Sequence, residues 1–287
     1  MNAPRATTPV AIEVAADAHR RRAQRLGWDA VARRMPDLFP AASTQYYRQC
    51  EIALIRRNVE SLRGKRVLKL DLWNEAFNTR ILQWMQAEGA ETFGLDVSAV
   101  TTAQAFHNAR GTGHSPMHLL QSDIRHLPFP AASFDFVYTM GTIEHIDEYA
   151  SAVSEVQRVL KPGGKAIIGV PHKWNIFLRP LLVGLLTRFG KYPYAPEKVF
   201  SAAELRRVIE QGGLHVIRRT GILTIPGLVR MADVFLYRRG LHLRRLMPLI
   251  LRPFELLETR FRWPATFGYL IAMVVEKRAG DDPPAAP

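Results

Sequence analysis

Three aspartates and a histidine stand where this chain can do chemistry. Asp96 ends the run Glu91-Thr92-Phe93-Gly94-Leu95, and Asp123 ends Leu119-Leu120-Gln121-Ser122. Asp71 lies inside Val67-Leu68-Lys69-Leu70-Asp71-Leu72-Trp73-Asn74-Glu75-Ala76, and His145 follows Met140-Gly141-Thr142-Ile143-Glu144. Carboxylates accept charge-assisted hydrogen bonds worth roughly 1.5–3 kcal/mol each. An imidazole, with an ordinary pKa of about 6.5, can remove a proton at neutral pH. The 67–76 stretch reads as a first buried strand running into a helix. Nucleotide-binding α/β proteins place a glycine-rich turn there, yet the stretch contains no glycine.

These residues need elements to hold them. Apolar patterning predicts strands at 66–70, 91–96, 119–123, 134–140 and 165–170, with helices at 78–88, 100–108 and 146–160 between them. A helix is expected before the first strand, from 46 to 62, with Gly64 beyond it. Ser201-Ala202-Ala203-Glu204 is a capping box that opens another helix, a strand starts at 214, and a last strand covers 268–275. Alternating strands and helices imply crossover units and a parallel sheet covered on both faces. Ligands in such sheets bind at the carboxyl ends of the strands, near the point where strand order reverses. Asp96 and Asp123 fall at such ends. Residues 226–264 are too long for a simple hairpin loop.

The 287 residues, 47% of them apolar, suffice for one large core. No apolar run reaches the roughly 18–20 residues of a membrane span; Arg179 and Arg188 interrupt the longest candidate, 175–190. With no secretory pattern at the start and a single cysteine, Cys50, a soluble cytoplasmic protein is expected. A net charge of +13 suggests an anionic partner, nucleic acid or an acidic membrane surface. Only eight of the 39 basic residues are Lys, so a GC-rich genome would give the same balance. Residues 1–40 read as a flexible basic segment and 277–287 as a disordered tail.

Four further motifs resemble one family. Gly64-Lys65-Arg66-Val67-Leu68 leads into the first strand, and Gly94-Leu95-Asp96-Val97-Ser98 ends the second. Ser122-Asp123-Ile124-Arg125-His126-Leu127-Pro128-Phe129 precedes Ser133-Phe134-Asp135-Phe136-Val137, and Arg158-Val159-Leu160-Lys161-Pro162-Gly163-Gly164 leads into the fifth strand. In this order they resemble the class I S-adenosylmethionine (SAM)-dependent methyltransferases over about residues 44–220 plus the final strand. The resemblance implies a Rossmann-like, doubly wound, mostly parallel seven-stranded sheet with helices on both faces. The methyltransferase domain would cover 41–276, with 172–200 and 225–264 as lid or insert segments.

The resemblance also implies roles. Asp96 would accept hydrogen bonds from both ribose hydroxyls of SAM, since its two oxygens suit a vicinal diol. Asp123 would accept from the adenine amino group, with the Ile124 N–H facing the ring and Val97 and Met140 beside them. Aligned from Gly64, Lys69 takes the place of the family's first acid, while Asp71, Trp73 and Glu75 take glycine places. A shift of two residues instead makes Asp71 that acid. Some methyltransferase-like proteins carry a Lys-x-Asp-Leu-aromatic-x-Glu-Ala turn. There Asp71 or Glu75 would hold the methionyl ammonium and Lys69 the carboxylate. The competing reading is a turn that has closed and lost its cofactor. Tyr46 and Tyr47 would lie over the cofactor, near its sulfonium.

His145 is the candidate base for transfer to oxygen, and His172 a second one. Glu144-His145 resembles the Glu-His of ubiquinone-type O-methyltransferases, but Gly141 stands where those have a further Glu, so no metal role carries over. The expected reaction is methylation of a small or lipid-like acceptor, probed against two alternatives, a non-catalytic scaffold at a membrane and an RNA methyltransferase. Residues 226–264 interleave arginines with large apolar residues. That composition fits peripheral contact with the inner face of a membrane, a homodimer interface or a lid. It fits nucleic acid less well, lacking the exposed aromatics that stack bases. The missing G-x-G-x-x-G argues against a dehydrogenase.

Overall fold

A computed structural model describes residues 9–110, 116–175, 177, 179–190, 197–261 and 267–280. In chain order the elements are α1 (Pro9–Ala32), α2 (Ala42–Asn58), β1 (Arg66–Lys69), α3 (Trp73–Phe77), α4 (Ile81–Ala87), β2 (Glu91–Asp96), α5 (Ala99–Ala109), β3 (His118–Gln121) and β4 (Phe134–Met140). A 3₁₀ turn (Ile143–His145) then leads to α6 (Tyr149–Val159), β5 (Leu160–Pro171), α7 (Arg179–Arg188), α8 (Ala202–Gln211) and β6 (His215–Ile222). α9 (Gly227–Arg238), a second 3₁₀ turn (His242–Leu246), α10 (Met247–Arg260) and β7 (Leu270–Glu276) complete the chain.

The seven strands pair in the order β3-β2-β1-β4-β5-β7-β6. β1 to β5 run parallel, and β7 is antiparallel to both β5 and β6. Strand order reverses between β1 and β4, so the crevice opens at the carboxyl ends of those two strands. The expected doubly wound sheet is present, and the period-2 pattern assigns each residue to a face. Val67 joins one apolar core with Phe136, Tyr138 and Ile55 of α2. Leu68 and Leu70 join the other with Val153 of α6 and Leu205 of α8. Lys69 therefore points to the α2 side, where it pairs in register with Tyr138.

Two expectations are corrected. The segment expected to be a flexible tail forms helix α1 from Pro9, and its second half docks on the body: Gln24 Nε2 donates to the His145 carbonyl at 2.9 Å, and the Asp29 carboxylate accepts from Ser98 Oγ at 2.6 Å. At the other end Lys277, expected in the tail, is buried, and its carbonyl accepts from the Gly163 N–H at 2.8 Å. Residues 1–8 and 281–287 lie outside the described residues, as do 262–266 of the basic insert and 176, 178 and 191–196 of the first lid segment. The insert itself is two helices, and the capping box is present, with Ser201 Oγ accepting from the Glu204 N–H and Glu204 from the Ser201 N–H.

Scarce acids dock that insert. Asp233 and Glu258 are 1% and 2% exposed. Asp233 accepts the Ser43 N–H at 2.7 Å, capping the first turn of α2 from a distance. Glu258 accepts the Leu223 N–H at 2.6 Å, the Thr224 N–H and Oγ1 at 2.9 Å each, and the Tyr46 hydroxyl. Each buried donor left unpaired costs about 1–3 kcal/mol. Glu258→Ala is therefore expected to lower unfolding free energy by about 3 kcal/mol or more in urea titrations, from several such donors. A loss under about 1 kcal/mol would show that α10 is held by other contacts.

Candidate functional site

The turn after β1 is braced by side chains and still borders an open cavity. The Lys69 ammonium, 0% exposed, donates to the Asp71 carbonyl at 2.8 Å and to Asp71 Oδ1 at 2.7 Å. Asp71 Oδ2 accepts the Thr142 hydroxyl at 3.1 Å. The Asp96 carboxylate accepts the Leu72 N–H at 3.0 Å and the Ser98 N–H at 2.8 Å. Among the described residues, those with positive φ are elsewhere, at Arg80, Ala132, Leu223 and a set of glycines outside the turn. The backbone at 70–76 never enters the left-handed region, and so does not require glycine there.

Burial and charge set the state of these acids. Burial pushes the Asp96 carboxyl up to about 6, against the two N–H bonds that favour its anion. At Asp123 burial acts the same way but is outweighed by Arg125, which holds the carboxyl below its usual range. Arg125 donates from Nε at 2.9 Å and from Nη2 at 2.6 Å to the two Asp123 oxygens, and from Nη1 to Glu148 at 2.7 Å. For Lys69, burial opposes the charge, yet Asp71 and Glu75 win and raise its pKa.

Beside this turn is a cavity of about 230 Å³. Of the residues singled out in the sequence, Asp71, Asp96, Val97, Asp123, Ile124, Met140 and His145 line it. Lys69, Glu75 and Tyr46 do not. Lys69 is spent beneath the turn, and Glu75, also buried, accepts the Leu82 N–H at 3.0 Å and holds α4. The Tyr46 hydroxyl goes to Glu258, while its neighbour Tyr47 reaches the cavity. His172 is buried away from the lining, its pKa lowered by burial and then by Arg219.

Several lining residues were not singled out from sequence. Gln24 and Trp28 come from α1, Asn74 and Asn78 from α3 and its end, and Arg230 from α9. The Trp28 ring meets His145 edge-on at 4.9 Å and Trp73 at 5.9 Å between centroids. The spacing of Gln24 and Trp28, one helical turn apart in an otherwise basic stretch, was the available signal.

Residues 76–168 match a family model described as a methyltransferase domain. A demethylmenaquinone methyltransferase of Thermus thermophilus is 31% identical over 163 residues, covering 51% of this chain and 74% of that protein. An O-methyltransferase of Aspergillus nomiae is 26% identical over 181 residues, covering 61% and 75%. A solved SAM-dependent methyltransferase from Mesorhizobium loti superposes with a TM-score of 0.52 at 15% identity, over 79% of this chain and 97% of that one, a likeness of fold.

The cavity's donors and acceptors fit SAM. Asp96 keeps lone pairs beyond its two backbone bonds for a diol, Asp123 stands at the next strand end, and Ile124, Val97 and Met140 give apolar walls for a purine. Asp71 and the rings of Trp28 and Trp73 suit a cation. Protonated Asp96 turns one acceptor oxygen into a donor. Affinity for S-adenosylhomocysteine (SAH), measured by titration calorimetry, should therefore fall as pH drops through about 6. Asp96→Asn should weaken SAH at pH 7.5 by about tenfold or more and abolish this pH dependence; a pH profile unchanged by Asp96→Asn would exclude Asp96 as the sensing group.

Proposed function

Because the chain belongs to the class I SAM-dependent methyltransferases, we propose that it methylates a small or lipid-like organic acceptor at oxygen, with His145 as the base. The observation that carries this reading is the placement of the His145 imidazole on the same cavity as Asp71, Asp96 and Asp123. When bound, SAM supplies a methyl carbon activated by its positive sulfur. The chain's own part is to align, to exclude water and to receive a proton. Proximity of this kind can supply about 7–11 kcal/mol of a barrier.

His145 takes the acceptor's proton as oxygen becomes nucleophilic. Glu144 Oε1 lies 3.9 Å from His145 Nε2, close enough to favour the imidazolium that results. Gln24 of α1 holds the His145 carbonyl, and Trp28 packs against the ring, so α1 both fixes the base and covers it. Leu223, Ile225, Leu270 and Pro171 form an apolar wall on the same cavity, which supports a greasy acceptor. The name of one relative, a demethylmenaquinone methyltransferase, supports a greasy acceptor, and that of the other, an O-methyltransferase, supports oxygen. His145→Ala should cut transfer of label from SAM into an extracted lipid fraction by about 10²–10⁴-fold while leaving SAH affinity unchanged. Undiminished transfer would remove His145 from the chemistry.

The same reading places residues 226–264 against an anionic membrane. α9 and α10 keep Asp233 and Glu258 inside, while Arg238, Arg239, Arg244, Arg245, Arg252 and Arg260 are exposed. Leu249 is 70% exposed and Leu243 64%. Apolar side chains among arginines suit a headgroup boundary, with about 1 kcal/mol contributed per basic residue near it. No helix among the described residues is long and apolar enough to cross a membrane. The protein should co-sediment with vesicles containing phosphatidylglycerol but not with pure phosphatidylcholine. Arg244→Glu with Arg245→Glu should release it, and equal sedimentation with both lipids would refute electrostatic docking.

A further inference from the structure

Arg230 is the one cavity-lining arginine whose charge meets no carboxylate among the described residues. Its guanidinium donates to Asn78 Oδ1 at 3.2 Å and to Ser43 Oγ at 3.4 Å, and it lies 5.7 Å from the centre of the Tyr47 ring. All three contacts are neutral, and they leave donors of the five-fold guanidinium fork unused. The other arginine on the lining, Arg125, is taken by Asp123 and Glu148. Lys69, the residue whose motif position suggested a carboxylate ligand, is buried beneath the turn and taken by Asp71. Asp233, three residues on in the same helix, spends its carboxylate on the Ser43 N–H.

The lining near Arg230 has an ordered polarity. Asp71 stands past the end of β1 and Thr142 past the end of β4, joined by the bond from the Thr142 hydroxyl to Asp71 Oδ2. Asn74 and Asn78 continue from them along α3, joined by a 3.1 Å bond from Asn78 Nδ2 to Asn74 Oδ1. Arg230 follows Asn78. An anion, two amides and then a cation complement the ammonium and carboxylate of an amino acid. A planar guanidinium grips a carboxylate through two parallel bonds where an ammonium offers a point charge.

We propose that Arg230, carried on α9, binds the carboxylate of the methionyl part of SAM, in the role that the glycine-free turn leaves open. The proposal rests on the cavity being the SAM site. It makes the cofactor a tie between the sheet and the docked insert, because Asp71 belongs to the first and Arg230 to the second.

The test compares SAM with decarboxylated SAM, which keeps the sulfonium and the ammonium and lacks only the carboxylate. Affinities are read by titration calorimetry on the full chain. Wild type should prefer SAM by about tenfold or more. Arg230→Gln should reduce that preference to within about threefold while binding decarboxylated SAM as wild type does, and Arg230→Lys should recover part of it. A preference that survives Arg230→Gln would overturn the proposal, as it must if Arg230 serves an acceptor anion instead. A parallel loss of both ligands would also overturn it, showing that Arg230 only supports the fold. Binding of neither compound to wild type would fail at the earlier step, the assignment of the cavity to SAM.

Discussion

The hydrogen bond from the Leu72 N–H to the Asp96 carboxylate fixes the path on which the site is built. It joins the end of β2 to Leu72, the residue that leads into α3, and it turns the chain into that helix without a left-handed residue. A glycine-rich turn achieves close approach by having no side chains. Here the same region is stiffened by bonds from Asp96 and from the buried Lys69–Asp71 pair, and its side chains are directed away or into the wall. Trp73 is the visible consequence: where a glycine would leave space, its ring packs on Phe77 and meets Trp28. Trp28 in turn brings α1 over the crevice.

That solution buries charge. Lys69 sits among Asp71, Glu75 and Glu51, and a lone buried ammonium would cost several kcal/mol without such partners. Glu51 accepts the Tyr138 hydroxyl at 2.8 Å and the Asn74 amide at 3.2 Å, and burial pushes its carboxyl up to about 7. A carboxyl raised on folding binds protons in the native chain that the unfolded chain has released. Its stabilising contribution is thus complete below the ordinary carboxyl range and is lost as pH rises through about 7. Asp96 behaves alike over a lower window, up to about 6. The fold keeps both acids at some expense in stability near neutrality, which is intelligible for Asp96 because its anion faces the cavity.

The parallel sheet was legible because strand ends coincide with acids and turn residues, and because β1, β2, β4 and β5 read as apolar runs bounded by polar ones. Asp96, Asp123 and His145 were legible for the same reason, being fixed by the strands they follow. Lys69 was misread through motif position, although strand alternation held the answer: Val67 and Lys69 share a face, and Leu68 and Leu70 occupy the other. Helix α1 was not legible as part of the body. Its docking depends on a few residues, Gln24, Trp28 and Asp29, set among arginines that pattern reading assigns to solvent. Tyr46 and Tyr47 were separable only in three dimensions, since adjacent residues on a helix point about 100° apart.

The insert after β6 shows how a short list of acids can sort a surface. With Asp233 and Glu258 turned inward as acceptors for backbone donors of α2 and of the 223–224 segment, the outward faces of α9 and α10 keep an excess of arginine. The inward face of α9 carries Arg230 to the cavity. One helix thus divides its cations between a surface and a site, and its position is set by the carboxylate three residues after Arg230. Moving Asp233 off the Ser43 N–H would free the start of α2 and displace Arg230 together, so the geometry of the cavity and the docking of the insert are one constraint seen from two sides.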